Sequence, residues 1–368
     1  MPEELLYTLE SELRAGVFGA PGERFLTTRQ LASRHGMAMA RACRLMEALR
    51  DRRLIRLWGK HHYISTGFVR PDTPFGEVLT STRRKLFGMI VRCIDNPFFA
   101  SLSGELSAAC ADAGYRLILS CSENSPEQEQ QIVDEYIDIG VSGIFTCPSL
   151  SPDAREVYGL CPLPVAALGQ DLHLANCDMV LVDNYNAGAQ VAAHLLEIGC
   201  TQFAYVGIDY RSEYDQRFSG FSHVLNKAGH SLKPDHIITA RKDADGNHNI
   251  DGVAGQLTNL LHRLPKDARI GIFCFQDLLA SDVMQIVKQF RYADGRAILI
   301  PEQAAIAGFD DLPIASVVSP QLTTVSYRYD SIAQQSVTIM LDYLKNPDHR
   351  TGIYLIPSSL SVRGSTLA

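Results

Sequence analysis

Hydrophobic residues change their spacing near residue 86 of this 368-residue chain. Before that point they recur at helical intervals, as in a first amphipathic helix that carries Leu5, Leu9 and Leu13 and ends at Gly16. Beyond it, short runs of consecutive apolar residues alternate with longer stretches of helical spacing. The change of pattern predicts a small helical module followed by a larger α/β region.

The first 65 residues are predicted to form three helices and a hairpin. After the first helix the predicted segments are a helix capped by Thr27 or Thr28 that ends at Gly36, a helix at 38–50, strands at 54–58 and 62–64, and a turn at 59–61. Three short helices followed by two short strands are typical of a winged helix-turn-helix.

Several positions of this module match a known pattern. They are Gly22-Glu23-Arg24, Arg29, Leu31-Ala32, Gly36, Leu49, Leu54-Ile55 and Gly59. On these residues the segment resembles the DNA-binding domain of the GntR family, which implies a winged helix that binds duplex DNA. The chain departs from the family at Ala38-Met39-Ala40-Arg41, where the family has Ser-Arg-Thr-Thr.

The distribution of charge favours the same module as the DNA-binding part. The whole chain has a formal charge of −7, but residues 1–65 hold eleven Lys or Arg against seven Asp or Glu. From 24 to 60 the balance is ten against two. A basic module on an acidic body is expected when only one domain meets phosphates. The alternative is a winged helix that has turned to protein contacts. The candidate DNA contacts are Arg29, Met39, Arg41, Arg44, Lys60 and His61.

The larger region is predicted to be an α/β fold with two doubly wound lobes at 86–368, after a linker at 66–85 in which Pro71 and Pro74 interrupt any periodicity. Continuous apolar runs indicate parallel strands covered by helices on both faces. The predicted strands lie at 86–94, 115–120, 143–147, 165–168, 179–183, 203–207, 270–275 and 304–309. The predicted helices lie at 98–113, 126–139, 185–198, 213–229, 249–262 and 277–291.

Ordered motifs extend through this region. They include Gly88-Met89-Ile90-Val91, Asp95-Asn96-Pro97-Phe98-Phe99, Val182-Asp183-Asn184, Arg217 with Gly220-Phe221, Gly308-Phe309-Asp310-Asp311 and Leu322-Thr323-Thr324-Val325. Residues 86–366 thereby resemble the effector domain of the LacI family, which is similar to periplasmic sugar-binding proteins. The resemblance implies a ligand cleft between two lobes and a homodimer. A GntR-type module on a LacI-type sensor resembles the arabinose-repressor-like regulators.

Polar and aromatic residues at strand ends are the candidate effector contacts. Asn96, Phe98 and Phe99 follow the first strand of the sensor, although both phenylalanines equally suit a core. Arg217 has a guanidinium that can bind vicinal hydroxyls or an anion, or it forms a surface ion pair with Asp215 or Glu213. Asp277 and Asp310 follow strand ends, where a carboxylate accepts from hydroxyls or, for Asp310, caps a helix.

One departure from the LacI pattern affects the choice of effector. Where the family has an Asp-Arg pair that contacts sugar, this chain has Gly169-Gln170. The pattern therefore leaves two interpretations open for the sensor. One is a carbohydrate-like effector, and the other is a protein partner.

Other classes of protein fit the sequence less well. The chain has no G-x-G-x-x-G after a strand, no Walker loop, no G-x-S-x-G and no metal-ligand spacing, so no enzyme, cofactor or metal is expected. Its nine cysteines lack framework spacing and its acidic start is no signal peptide, which favours a cytoplasmic protein over a solute-binding transport protein or a membrane protein. The sequence predicts a repressor whose homodimer binds operator DNA and answers to a small effector.

Overall fold

The computed structural model of the chain describes residues 2–367 except 21, 53, 59, 65–84, 209–214, 241–249, 266 and 347–348. The chain divides into two compact units, each built from two separate stretches. Unit 1 comprises Met1–Leu181 and Tyr329–Leu355, and unit 2 comprises Val182–Arg328 and Ile356–Ala368. The linker predicted at 66–85 lies, apart from Lys85, outside the described residues, so its boundaries stay predictions.

The amino-terminal module has the predicted order of three helices and an antiparallel hairpin. Its elements are α1 (Pro2–Arg14), α2 (Thr28–Arg34), α3 (Met39–Asp51), β1 (Ile55–Trp58) and β2 (His61–Ile64). One detail of the prediction is wrong, because His61 pairs with Trp58 as the first residue of β2 and does not lie in the turn.

Local chemistry explains where α2 begins. The Thr27 hydroxyl accepts a hydrogen bond from the Gln30 backbone N–H at 3.2 Å, and the Gln30 side chain accepts one from the Thr27 N–H at 2.8 Å. This reciprocal capping box satisfies two backbone donors that a helix start leaves unpaired. The helices and hairpin then close around one small apolar core, which includes Leu9, Leu31, Leu45, Leu49, Leu54 and Ile64.

From residue 86 onward, strands and helices alternate. The elements are β3 (Leu86–Val91), α4 (Pro97–Asp112), β4 (Arg116–Cys121), α5 (Pro126–Ile139), β5 (Ile144–Thr146), α6 (Ala154–Gly159), β6 (Val165–Leu168), β7 (Asp178–Val182), α7 (Asn184–Glu197), β8 (Gln202–Ile208), α8 (Gln216–Lys227), β9 (Ile237–Ala240), α9 (Ile250–Arg263) and β10 (Ile270–Cys274). They continue with α10 (Asp277–Gln289), β11 (Ala304–Asp310), α11 (Pro313–Val317), β12 (Thr323–Ser326), α12 (Tyr329–Lys345), β13 (Ile353–Ile356) and β14 (Ser359–Ser361).

These strands form two six-stranded sheets, one for each unit. The sheet of unit 1 has the order β13-β7-β6-β5-β3-β4, and the sheet of unit 2 has the order β14-β12-β11-β10-β8-β9. Strands β3 to β7 pair in parallel in the first sheet, as do β8 to β12 in the second, where β14 joins β12 antiparallel. The prediction of two doubly wound lobes is confirmed, and the carboxyl ends of the parallel strands mark the edge where ligands bind in such sheets.

Two glycines bring α7 and α8 into backbone contact in unit 2. A Cβ on Gly220 would lie 1.8 Å from the Tyr185 carbonyl oxygen, and one on Gly188 would lie 2.0 Å from the Arg217 carbonyl oxygen. Only glycine permits such an approach. The close crossing places the start of α8 beside the start of α7, where the Asn184 side chain accepts from the Arg217 Nε at 3.1 Å.

A histidine between two carboxylates joins the end of α12 to the start of β7 in unit 1. His349 Nδ1 lies 2.7 Å from Asp342 Oδ2, and its Nε2 lies 2.9 Å from Asp178 Oδ2. Asp178 also accepts from the Gly352 N–H at 2.9 Å. Burial lowers the pKa of His349, but the hydrogen bonds from Asp342 and Asp178 outweigh burial, so the pKa is raised. Two carboxylate acceptors favour the imidazolium, which donates from both ring nitrogens.

We expect this histidine to make the stability of unit 1 depend on pH. Because its pKa is higher in the folded than in the unfolded chain, the stabilisation is complete below the ordinary histidine pKa and is lost as pH rises through the folded pKa. His349→Gln should remove about 1–2 kcal/mol at low pH and flatten the profile. Hydrogen exchange of peptides from 329–356, corrected for intrinsic rates, measures this. The exposed His223→Gln is the control, and a wild-type profile in His349→Gln would contradict the expectation.

Candidate DNA-binding surface and effector site

All six predicted DNA contacts lie exposed on the amino-terminal module. Arg29 lies on α2, Met39, Arg41 and Arg44 lie on α3, and Lys60 and His61 lie at the tip of the hairpin. The opposite face of α3 is buried in the module core through Ala42, Leu45, Met46 and Leu49. The module therefore presents these side chains to solvent while its own packing is complete, and the assignment of DNA contacts stays a prediction.

Two other arginines of the basic stretch are already paired. Arg24 lies 2.7 Å from Asp138 of α5, and Arg52 lies 2.8 Å from Glu10 of α1. Arg24 also donates to the hydroxyl of the buried Tyr63 at 3.3 Å. Exposed pairs of this kind stabilise little, but they hold the two guanidinium groups against the protein. The other described basic side chains of this stretch lie on α2, on α3 and in the hairpin.

Arg217 is the centre of the predicted effector site in unit 2. It stands in the first turn of α8, where the Asp215 carboxylate caps the helix by accepting from the Arg217 N–H at 3.0 Å. Its guanidinium is nearly buried and donates to Asn184, to the Phe275 carbonyl at 2.5 Å and to the Tyr327 hydroxyl at 2.6 Å. The alternative of a surface ion pair with Asp215 does not hold, because only 9% of the side chain is exposed.

Aromatic faces and one carboxylate surround this guanidinium. Its carbon lies 3.7 Å from the centroid of the Phe309 ring and 4.3 Å from that of Phe275. Asp310 approaches to 4.0 Å. Burial lowers the pKa of Arg217, but Tyr327 and Asp310 outweigh burial and raise the pKa above its ordinary value. The described residues accept hydrogen bonds from three of the five N–H groups of Arg217, so two have no acceptor in this part of the chain.

Asp310 lies at the carboxyl end of β11 with an unusual backbone. Its φ is +109°, and that of Asp311 is +54°, both in a region that L-residues rarely adopt. Burial raises the pKa of Asp310, while the Arg217 guanidinium opposes that rise. The residue does not cap α11, whose N-cap is Leu312. Strained backbone of this kind is commonly retained at functional sites, which fits a role beside Arg217.

Asp277 has an internal role that differs from the predicted effector contact. Its side chain is fully buried, where Oδ1 accepts from the Thr324 hydroxyl at 2.6 Å and Oδ2 accepts from the Leu312 N–H at 2.8 Å. A Cβ on Gly308 would lie 2.2 Å from Oδ1, so glycine makes room for the carboxylate. Burial raises the pKa of Asp277 to about 7. The strand-end position was predicted correctly, but the side chain joins α10 to β12 instead of facing a ligand.

Replacing Asp277 should therefore affect stability before it affects effector binding. Asp277→Ala leaves the Leu312 N–H and the Thr324 hydroxyl without their partner, at a cost of about 1–3 kcal/mol for each buried group. Urea unfolding, monitored by hydrogen exchange of peptides from unit 2, measures the loss of stability. Asp251→Ala, on the exposed face of α9, is the matched control. Lost effector affinity with unchanged stability would restore Asp277 to the effector site.

The three predicted contacts of unit 1 have separate roles. The Asn96 side chain caps α4 by accepting from the Phe98 N–H at 2.9 Å. Phe99 is 5% exposed and belongs to the core, as the alternative interpretation had it. Phe98 is half-buried, with its ring centroid 5.6 Å from that of Tyr329. Of the two phenylalanines, only Phe98 offers an accessible aromatic face.

Sequence reasoning missed several polar residues that the fold brings to these strand ends. Asn184, which was named only within the Val182-Asp183-Asn184 motif, accepts from Arg217, and Tyr327 follows β12. In unit 1, Arg92 follows β3 and Gln170 follows β6. Arg92 could have been recognised from the sequence, because its charge interrupts the apolar run at 86–94. Tyr327 could not have been recognised in this way, because the hydrophobic pattern did not predict β12.

Two classes of site find no support in the described part of the chain. Among the residues that the structure describes, no group of three or more His, Cys, Asp or Glu side chains is placed to hold a metal ion. Within that same part, no helix combines the length and the apolar character that a membrane span requires.

Comparison with known proteins agrees with the α/β architecture. Residues 192–366 match the family described as a periplasmic binding protein-like domain. The HTH-type transcriptional regulator DegA of Bacillus subtilis is 26% identical over 67% of this chain and 71% of its own length. The HTH-type transcriptional repressor PurR of Photobacterium profundum is 24% identical over 76% of this chain and 81% of its own length. These matches do not support the GntR-type assignment of the amino-terminal module, which stays a prediction.

Solved structures agree with this fold. A periplasmic binding protein/LacI transcriptional regulator from Alkaliphilus metalliredigens, complexed with D-xylulofuranose, superposes with a TM-score of 0.62 at 23% identity. The match covers 77% of this chain and all of that one. The α/β part of this chain is therefore similar to the periplasmic binding protein-like domain over residues 192–366 and shares the fold of the LacI-type regulator structure.

Proposed function

We propose that this protein is a DNA-binding transcription regulator, a repressor, that a small carbohydrate-like effector controls. The proposal rests on the presence of two kinds of domain in the same chain. An exposed basic surface lies on a three-helix module with a hairpin, and a periplasmic-binding-protein-like domain follows it. The first part suits phosphate and base edges, and the second suits a small polar ligand.

The amino-terminal module is proposed to bind DNA as a winged helix of GntR type. Its helix order, its capped α2 and its antiparallel hairpin support this assignment. In this proposal Arg41 and Arg44 of α3 meet the major groove, and Lys60 and His61 contact the backbone. A homodimer would place two such modules on half-sites of a pseudo-palindromic operator.

The effector is proposed to bind at the carboxyl-end edge of the strands, where Arg217 and Asp310 stand in unit 2. A guanidinium with two N–H groups to spare beside a carboxylate suits vicinal hydroxyls, and the flanking rings of Phe275 and Phe309 suit the apolar face of a sugar ring. The Alkaliphilus metalliredigens relative is complexed with a sugar, D-xylulofuranose, which supports this class of ligand.

Selection of duplex DNA from a random library by the purified full chain tests the proposal. The expected result is enrichment of an inverted repeat whose half-sites are separated by about one helical turn. Affinity should fall steeply with salt, with a slope of roughly −0.9 for each phosphate contact. The proposal would be overturned if no sequence is enriched and the association with DNA does not depend on salt. That result would favour an amino-terminal module that binds protein.

A further inference from the structure

A connected group of polar side chains lies at the carboxyl ends of four neighbouring strands in unit 1. Arg92 follows β3, Ser122 follows β4, Ser149 lies three residues beyond β5 and Gln170 lies two residues beyond β6. Glu129, from the first turn of α5, is hydrogen-bonded to Ser122 and Ser149. We call these five residues the strand-end cluster. Four strand ends converge on it, so it occupies the edge where this kind of sheet binds ligands.

The carboxylate of the cluster is committed to internal hydrogen bonds. Glu129 is fully buried, and its Oε1 accepts from the Ser149 N–H at 2.5 Å and from the Ser122 hydroxyl at 3.5 Å. Its Oε2 accepts from the Ser149 hydroxyl at 3.3 Å. Burial raises the pKa of Glu129, and the Ser149 donors and the Arg92 charge oppose the rise. Glu129 therefore organises the loops, while its oxygens are largely occupied.

Arg92 lacks an ion-pair partner among the described residues. No carboxylate there lies within 4.0 Å of its guanidinium, and its buried Nε has no hydrogen-bond acceptor. The side chain is half-buried, and its guanidinium carbon lies 5.5 Å from the centroid of the Phe99 ring. The Glu129 carboxylate interacts with the Arg92 charge, but its hydrogen bonds go to Ser149 and Ser122, so the buried Nε of Arg92 is left without an acceptor, which is unfavourable.

Gln170 adds an unpaired acceptor to the same cluster. Its Nε2 donates to the Ser149 carbonyl at 3.4 Å, while its buried Oε1 has no partner in the described part of the chain. Gly169 before it has no side chain and a φ of +74°. The edge of unit 1 thus offers one free cationic donor and one free neutral acceptor. Such a pair fits an anionic group next to a hydroxyl.

We propose that the effector is an anionic polyhydroxylated metabolite, a sugar acid or a sugar phosphate, and that Arg92 selects it by its charge. The proposal rests on the sensor role proposed above and names its class of ligand. Arg92 binds the anionic group, and Gln170 accepts from a neighbouring hydroxyl.

Thermal unfolding of the full chain with matched ligand series tests this assignment. Each series contains a neutral sugar, a sugar acid derived from it and its phosphate ester: glucose, glucuronate and glucose 6-phosphate, the galactose equivalents, and ribose with ribonate and ribose 5-phosphate. A bound ligand at a hundredfold excess over its Kd should raise the midpoint by about 5–10 °C. We expect shifts from an anionic member and none from its neutral parent. The acid and ester arms identify the kind of anion.

A pair of arginine variants separates recognition by Arg92 from a general effect of charge. Arg92→Gln should weaken binding of the anionic ligand roughly 30-fold or more, because it removes a charged partner from a half-buried pair. Arg116→Gln, an exposed arginine on the neighbouring β4, should leave it unchanged. Any of three results would overturn the assignment. They are equal binding of the neutral sugar, an unchanged affinity in Arg92→Gln, and no shift of the unfolding midpoint with any anionic member. Operator binding, measured separately, shows whether the regulator function itself has failed.

Discussion

Replacing Arg41 and Arg44 together by alanine should abolish specific DNA binding without unfolding the protein. Both side chains are exposed on α3, while the core of the module is formed by the opposite face of that helix. If each arginine makes a bidentate base contact, each is worth about 1–3 kcal/mol, so the pair should weaken operator binding roughly 30-fold to ten-thousandfold. Fluorescence anisotropy with a labelled operator at fixed salt measures the change.

Salt dependence and a matched variant make this prediction specific. If the arginines contact phosphates instead, the salt slope should become shallower by roughly one for each of them. Arg350→Ala, an exposed arginine of unit 1 outside the module, should bind DNA as the wild type does. Unchanged affinity in the double variant would remove α3 from the DNA interface and would favour a module that binds protein.

Replacing Arg217 by methionine should destabilise unit 2 and also remove the response to effector. The change removes the cation beside the buried Asp310 carboxylate, together with the hydrogen bonds that Arg217 donates to Tyr327, Asn184 and the Phe275 carbonyl. Breaking a buried charge pair in this way costs about 3–5 kcal/mol. Arg217→Lys keeps the charge but loses the fork, so it should recover stability in part and effector affinity poorly.

A second arginine of unit 2, the half-buried Arg269, provides the comparison that separates stability from binding. Arg269 donates to the carbonyl oxygens of Ile198, Pro301 and Thr366 and lies at the opposite, amino-terminal edge of β10. Arg269→Met should lower stability but retain effector affinity in the folded protein. Urea unfolding and calorimetric titration on both variants give the two quantities. Equal loss of affinity in both would mean that Arg217 acts only through stability.

The architecture could be predicted because its central strands are covered on both faces. Runs such as 144–146 and 165–168 are fully buried, so their sequences are continuously apolar and their boundaries are visible. The elements that were missed lie mainly at sheet edges or mix polar residues into a buried face. Strands β13 and β14 are partly exposed, and α12 buries Ser336, whose hydroxyl donates to the Ile332 carbonyl at 2.6 Å. Such segments carry no clear period.

The strand-end positions of the candidate effector residues could be predicted from the sequence, while their contacts with an effector stay predictions. The sequence places Arg217, Asp277 and Asp310 after predicted strands, and the structure has them at the carboxyl-end edge of the sheet, because parallel strands align their carboxyl ends. It could not give the depth of each side chain, which depends on neighbours distant in sequence. Gly308 opens the space that buries Asp277, and Gly220 allows the helix contact that brings Arg217 to Asn184. Depth of this kind follows from tertiary packing and not from local pattern.

The central claim is that effector binding changes the affinity of this protein for DNA. The most direct measurement is an anisotropy titration of the selected operator with the full chain, in the absence and in the presence of a ligand that raises the unfolding midpoint. The account predicts a change in Kd of about 5-fold to 150-fold, the usual range of coupling between two sites. Identical affinities, with the ligand demonstrably bound at the same protein concentration, would contradict it.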